Sequence, residues 1–211
     1  MERAGAPDWA VALDAAAKRG LDLAVAVLAL ALLWPLLLAL ALWVRLDSPG
    51  PALYRALRVG RDGQPFTMLK FRTMHVGADA GAGITGAADA RVTRLGRRLR
   101  AARLDELPQL INVLRGEMSL VGPRPESPRY VRYYTPEQLA VLRVRPGITG
   151  PTQLRFRDEA ARLTAADVEA QYVGELLPAK LASDLEYVRT RTLWGDIAIL
   201  LETVRLAVRR A

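Results

Sequence analysis

The sequence predicts an α+β fold, mostly helical, with one membrane-embedded helix ahead of a compact globular part. Three observations carry this. An uncharged apolar run, LAVAVLALALLWPLLLALALWV, fills Leu23 to Val44. Two strand-like stretches flank a Gly-Arg-Asp-Gly turn at Gly60 to Gly63. Most of the chain beyond residue 90 shows helix-start signals or helical periodicity. Apolar residues make up 51% of the 211, enough for a core and a membrane segment together. The expected division is residues 1–47, a leader and the membrane helix, then residues 48–211 as one domain. Cysteine is absent, which excludes disulfides and thiolate metal sites. A net charge of +8 draws such a chain to anionic partners: nucleic acid, acidic lipid headgroups or phosphorylated molecules.

Met1 to Ala17 reads as a short leader. Lys18 and Arg19 then introduce the apolar run, about 22 residues or roughly 33 Å as a helix, long enough to cross a hydrocarbon core. It is too long for a signal-peptide core and apolar all round, unlike a buried amphipathic helix. Pro35, near its middle, removes one backbone donor and crowds the carbonyl of Ala31, which predicts a kink or break. Two topologies fit: a kinked spanning helix, or a re-entrant segment that enters and leaves by one face. Basic residues stand on both sides, Lys18 and Arg19 before the run and Arg45, Arg55, Arg58 and Arg61 after it, so the charge rule favours neither orientation.

Asp47-Ser-Pro-Gly-Pro51 marks the exit from the membrane. Ala52 to Val59 and Pro65 to Phe71 are the strands of a hairpin, and alternation puts Lys70 and Arg72 on one face. Gly77 to Ala90, rich in glycine and alanine, reads as a mobile loop without the Lys-Ser/Thr ending of a phosphate-binding loop. His75, the single histidine, cannot build a metal site alone. Arg91 to Arg103 is a basic helix candidate whose apolar residues Val92, Leu95 and Leu99 form one narrow face, the pattern of a helix resting on an anionic membrane. A helix is expected over Pro108 to Leu114, another from Thr135 through Leu142, and three more over Ala165–Leu177, Pro178–Arg191 and Leu193–Arg210. Arg145 to Pro151 reads as a rigid turn.

The chemistry concentrates between Arg100 and Pro125, RAARLDELPQLINVLRGEMSLVGPRP. Asp105 and Glu106 are adjacent carboxylates, which repel and need cations nearby, either side chains or a metal. Arg100 and Arg103 precede them, and Gly122-Pro-Arg-Pro125 holds Arg124 in a stiff turn. A planar guanidinium so fixed suits a phosphate. Before a helix start at Leu107-Pro108, the two acids also fit a simple capping role, with the helix dipole favouring an ionised Asp105.

LDELPQLINVLRGEMSLVGPRP, together with KFRTM at Lys70 to Met74 and RPGITG at Arg145 to Gly150, resembles the signature of the bacterial sugar transferases, the small monotopic phosphoglycosyl transferases. The resemblance covers roughly residues 16 to 155. It implies a re-entrant helix broken at Pro35, with the catalytic domain on the cytoplasmic face of the bacterial inner membrane. It implies transfer of a phosphosugar from a UDP-sugar to polyprenol phosphate, giving a polyprenol diphosphosugar and UMP. On that basis Asp105 is expected to be the nucleophile and Glu106 to hold Mg2+, alone or shared with Asp105. Lys70, Arg72, Arg100 and Arg124 are expected to bind phosphate, and anionic lipid to be a partner. Arg103 departs from the small polar residue expected before LDELPQ, and Glu117 stands where Asp is frequent. Charge alone would also fit a nucleic-acid binder or a non-catalytic membrane-surface protein. The membrane run and the few aromatics among the basic residues speak against the first, and the retained acid pair speaks against the second.

Overall fold

The computed structural model describes residues 8–78, 89–159, 163 and 167–208. Asp8 to Asp47 form one helix, α1. The expected leader is therefore helical from Asp8 onward. The expected break at Pro35 is not present as a gap: the helix continues through it. Proline forfeits one hydrogen bond, to the carbonyl of Ala31, while the Leu- and Ala-rich turns on either side keep theirs.

A stripe of α1 is docked on the rest of the molecule on both sides of Pro35. Asp22 and Ala26 are buried before it, Leu40 and Val44 after it. Val25, Ala29 and Leu30 lean on one core cluster, and Leu37 and Ala41 on another. The spacing follows i, i+3 or i+4, so one line of the helix faces the protein. The opposite face, including Leu28, Leu32, Trp34, Leu38 and Leu42, is exposed. By length and composition this is the one helix among the described residues able to cross a membrane.

Strands β1 (Leu53–Val59) and β2 (Pro65–Phe71) pair antiparallel, Leu53 opposite Phe71 and Val59 opposite Pro65, as the alternation predicts. Asp62 and Gly63 turn the chain with positive φ. Helix α2 (Arg94–Ala101) begins at Thr93, whose hydroxyl accepts from the Gly96 amide at 2.9 Å. A Cβ on Gly96 would lie 2.1 Å from the Thr73 carbonyl oxygen, so only glycine lets α2 sit directly on the end of the hairpin. Leu95 and Leu99 are buried in a cluster with Leu40, Val44 and Phe71. The apolar face expected on lipid therefore packs against α1 instead. Arg94, Arg97 and Arg98 are exposed.

A 3-10 turn (Leu104–Glu106) leads into α3 (Gln109–Leu114). Strands β3 (Ser119–Val121) and β4 (Gly147–Thr149) form a short parallel pair. The RPGITG stretch is thus partly strand, not only turn. A Cβ on Gly147 would stand 2.1 Å from the Gly122 nitrogen, which explains two glycines where β3 and β4 meet. Helices α4 (Pro128–Val131) and α5 (Pro151–Arg155) are single turns. The segment opened by Thr135 is a 3-10 helix, Gln138–Arg143, with Thr135 and Gln138 capping each other reciprocally. Helix α6 (Val168–Gln171) passes through a π turn (Tyr172–Leu176) into α7 (Leu177–Thr190). Pro178 does not separate two helices; the helical backbone runs on through the π turn just before it. Helix α8 (Leu193–Val208) closes the described chain. Most of the glycine-rich stretch predicted as a loop lies outside the described residues.

The N-terminal limb of α1 is held by polar bonds as well as apolar packing. Lys18 Nζ donates to Asp196 of α8 at 2.5 Å and to the Val121 carbonyl at 3.1 Å. Arg19 Nη1 donates to the Val113 carbonyl at 2.8 Å, and Asp22 accepts the Leu120 amide at 3.0 Å. Tyr187 completes the group, donating its hydroxyl to Asp196 at 2.7 Å.

Candidate active site

The acid pair occupies the 3-10 turn between α2 and α3. Asp105 and Glu106 are each only 7% exposed. Neither side chain caps α3, so the capping role leaves their burial unexplained. Arg103, just before the turn, has φ 57°, the left-handed region that is costly for a residue with a Cβ. This explains why a small polar residue suits that position: Asn and Asp tolerate this conformation better than most.

The two acids have different surroundings. Glu106 Oε1 accepts from Lys70 Nζ at 2.9 Å and lies 3.5 Å from Arg124 Nη2. Its Oε2 lies 3.7 Å from Arg103 Nη1. Burial opposes its charge, but Lys70, Arg124 and Arg103 outweigh burial and hold its carboxyl at about 2. Among the described residues the Asp105 carboxylate has no hydrogen bond or ion pair. Burial, reinforced by repulsion from Glu106, raises its pKa against the opposing fields of Lys70, Arg100 and Arg124. The ionised state predicted from the helix dipole is thus opposed by desolvation. One acid is a fixed anion within a cage of cations, and its neighbour is a desolvated carboxylate with uncommitted oxygens.

Lys70, at the end of β2, reaches the pair because strand alternation aims it there. Arg124 reaches it from the Gly-Pro-Arg-Pro turn, between Glu106 on one side and Glu159 and Glu126 on the other. Burial works against its charge, but these acids keep the guanidinium above its ordinary pKa. Arg100 is near: its Nε donates to Thr73 Oγ1 at 2.8 Å, and the field of Asp105 reaches it.

Arg72 is not brought to the pair. Its Nε donates to the Pro51 carbonyl at 2.7 Å and its Nη1 to Ser48 Oγ at 2.5 Å. Its Nη2 donates to the carbonyls of Ser48 at 2.8 Å and Val44 at 3.2 Å. The guanidinium ties off the orphan carbonyls at the C-terminus of α1. Sharing a face with Lys70 does not decide its role, because two residues along a strand is far enough to reach a different neighbour.

Sequence reasoning missed several residues. Asn112, fully buried in α3, accepts the Leu69 amide at 3.0 Å and donates to the Thr67 carbonyl at 2.7 Å and to Glu117 at 2.6 Å. It fixes β2, and so Lys70, relative to the acid pair. An Asn inside an apolar helical stretch was the available signal. Lys180 is 4% exposed and donates to Glu159 at 3.1 and 3.2 Å and to Tyr172 at 3.1 Å. The Tyr172 hydroxyl in turn donates to Glu126 at 2.5 Å. Nothing local in the sequence joins these four, since they come from distant segments.

Lys70, Arg100, Arg103, Arg124 and the acid pair line one groove of about 1520 Å³ that runs on to Glu126, Tyr172 and Lys180. A cationic cleft around a desolvated carboxylate can bind a diphosphate and present a nucleophile to it.

The bacterial sugar transferase family model matches residues 13–210. The chain is 47% identical over 208 residues to a UDP-glucose:undecaprenyl-phosphate glucose-1-phosphate transferase of Caulobacter vibrioides, covering 96% of this chain and 73% of that one. It is 43% identical over 188 residues to a protein of the same name from Xanthomonas campestris pv. campestris, covering 86% of this chain and 37% of that one. It is 39% identical over 192 residues to a UDP-N-acetylgalactosamine-undecaprenyl-phosphate N-acetylgalactosaminephosphotransferase of Aeromonas hydrophila, covering 89% and 43%. The chain thus spans less than half the length of two of these relatives. With the family model covering nearly all of it, the chain belongs to the bacterial sugar transferase family.

Proposed function

We propose that this protein transfers a phosphosugar from a UDP-sugar to undecaprenyl phosphate through a covalent intermediate on Asp105, a membrane step of glycoconjugate assembly. The observation that carries the reading is the asymmetry of the acid pair: Glu106 is locked among Lys70, Arg103 and Arg124, while Asp105 is desolvated with its oxygens free. The relatives' names supply the substrate classes.

A carboxylate oxygen of Asp105 attacks the sugar-bearing phosphorus. The bond from that phosphorus to the bridging oxygen breaks, and UMP leaves with the electron pair. An oxygen of the lipid phosphate then attacks the same phosphorus, the acyl-phosphate bond breaks, and the Asp105 carboxylate is regenerated. No proton need be supplied to either leaving group, which suits a site whose nearest groups are cations. Arg124 and Lys70 hold the phosphoryl oxygens, and Arg100 neutralises charge on the leaving side. Desolvation of Asp105 makes its oxygens more basic and better nucleophiles.

Mg2+ fits the donor set. It is commonly held by one or two carboxylates plus substrate phosphates; here Asp105 has uncommitted oxygens, while Glu106, an anion already facing Lys70, Arg124 and Arg103, would share the ion by giving up part of that cage. These two residues would hold it, and it would supply neutralisation of the diphosphate. Among the described residues no group of three or more metal-ligating side chains exists, so the substrate would complete the shell.

The docking of α1 supports the membrane arrangement proposed. Lys18 and Asp22 on one side of Pro35, and Val44 and Ser48 on the other, bond to the same domain. A helix with its two ends on opposite faces of a bilayer could not keep both sets. We take α1 as re-entrant, although its helical backbone runs on through Pro35: both flanks and the catalytic domain then lie on the cytoplasmic side, where nucleotide sugars are made, with the exposed face around Leu28 to Leu42 in lipid. Exposed Arg94, Arg97 and Arg98 would meet anionic headgroups.

Release of UMP tests the function. Detergent-solubilised protein with Mg2+, undecaprenyl phosphate and a panel of UDP-sugars, UDP-glucose and UDP-N-acetylgalactosamine included, is expected to release UMP continuously with at least one donor. Free sugar phosphate without the acceptor would mean a hydrolase, and no UMP with any donor would overturn the reading.

A further inference from the structure

The groove has two electrostatic halves. Around Asp105 and Glu106, the cations Lys70, Arg100, Arg103 and Arg124 outnumber the acids. Beyond Arg124 each of the groove's cations Lys180, Arg129 and Arg157 has an acid beside it. Lys180 is held by Glu159 and Glu126, at 3.1 and 3.7 Å. Arg129 pairs with Glu169 at 2.5 Å, and Arg157 with Asp158 at 3.3 Å. This half has no surplus positive charge for a phosphate. It offers carboxylate oxygens instead, above a floor that includes Tyr130 and Phe156, which are buried. Such a surface suits an uncharged group rich in hydroxyls.

The connection between the halves is Arg124. Its charge is felt by Glu106 on one side and by Glu159 and Glu126 on the other. In a nucleoside diphosphate sugar the sugar is linked through its anomeric oxygen to the phosphorus that Asp105 would attack. The nucleoside is separated from it by a second, anionic phosphate. That phosphate belongs in the cationic half, and the group next to the attacked phosphorus belongs in the half without surplus positive charge.

We propose that the arm of the groove walled by Glu126, Glu159, Tyr172 and Lys180 is the pocket for the donor's sugar ring, with Glu126 and Glu159 accepting hydrogen bonds from its hydroxyls. Lys180 and Tyr172 are positioning residues: they hold the two carboxylates facing the ring and do not touch it. The inference rests on the proposed transferase reading. It goes beyond that reading in naming which residues discriminate one sugar from another.

The test compares Glu159→Gln and Glu126→Gln with wild type on UDP-glucose and UDP-N-acetylgalactosamine, and measures product inhibition by UMP. Glu159 is 28% exposed at its side chain, so its variant is expected to fold even if the more buried Glu126 variant does not. The expected result is a change of fivefold or more in the ratio of kcat/KM between the two donors, with the inhibition constant for UMP within twofold of wild type. An equal loss on both donors, an unchanged ratio, or a matching loss of UMP affinity would overturn the proposal. The last outcome would assign the arm to the nucleoside. If wild type itself released no UMP with any donor, the transferase reading would have failed instead, and the two failures are distinct.

Discussion

Asp105 and Glu106 are neighbours in sequence, yet the fold gives them opposite pKa shifts, and opposite consequences for stability follow. Glu106, at about 2 in the fold against an ordinary 4.5, contributes stability that is full above pH 4.5 and is lost as pH falls towards 2. Glu106→Gln is therefore expected to melt lower than wild type at neutral pH, and the gap is expected to narrow across that window. A constant gap in melting temperature from pH 6 to 2.5 would contradict the cage of cations. Asp105 has the other sign: its raised pKa means that its ionised form costs stability at neutral pH. Asp105→Asn should lose nearly all turnover and melt higher than wild type. That Arg100 and Arg124 would lie near the acid pair was legible because all four sit in one contiguous, chemically unusual stretch, whereas Lys70, far upstream, was reached only through the resemblance. The unequal environments of the two acids were not legible, because burial and the reach of Lys70 across the hairpin are tertiary facts.

Among the elements, the hairpin was the most legible, since alternation and a glycine turn are local signals. Helix α2 was legible as amphipathic, but its partner was not: a narrow apolar stripe reads the same whether it faces lipid or a helix. Leu99→Ala should therefore destabilise the domain in detergent solution by about 2–5 kcal/mol, as for a core leucine. A residue facing lipid would leave the melting curve nearly unchanged. Arg72 makes a related point. Replacing it by Ala frees carbonyls at the end of α1, and loss of its charged hydrogen bonds should cost at least about 1.5–3 kcal/mol. Its effect on KM for the donor should be small; a large KM effect in a stably folded variant would return Arg72 to the substrate site. The β3–β4 pair escaped the sequence because three-residue strands carry too little pattern to separate them from a turn.

For the molecule as a whole, a helix long and apolar enough to cross a membrane was evident from hydropathy alone, but the docking of both its limbs could not be read from a run that is apolar all round. That docking makes topology measurable. Single cysteines at Ala16 and Gln64, in a chain with none of its own, should both be shielded from an impermeant thiol reagent in intact cells. Labelling at Ala16 alone would mean a spanning helix. In the proposed mechanism the docked helix, cationic groove and desolvated carboxylate serve a lipid-surface reaction through an aspartyl-phosphosugar, and a direct search for that intermediate tests it. Wild-type protein mixed with a UDP-sugar it accepts, with the lipid acceptor omitted, should gain the mass of one phosphosugar. Fragmentation should place it on Asp105, and adding undecaprenyl phosphate should discharge it. An adduct on another residue, or continued turnover by Asp105→Asn at near wild-type rate, would contradict the covalent mechanism.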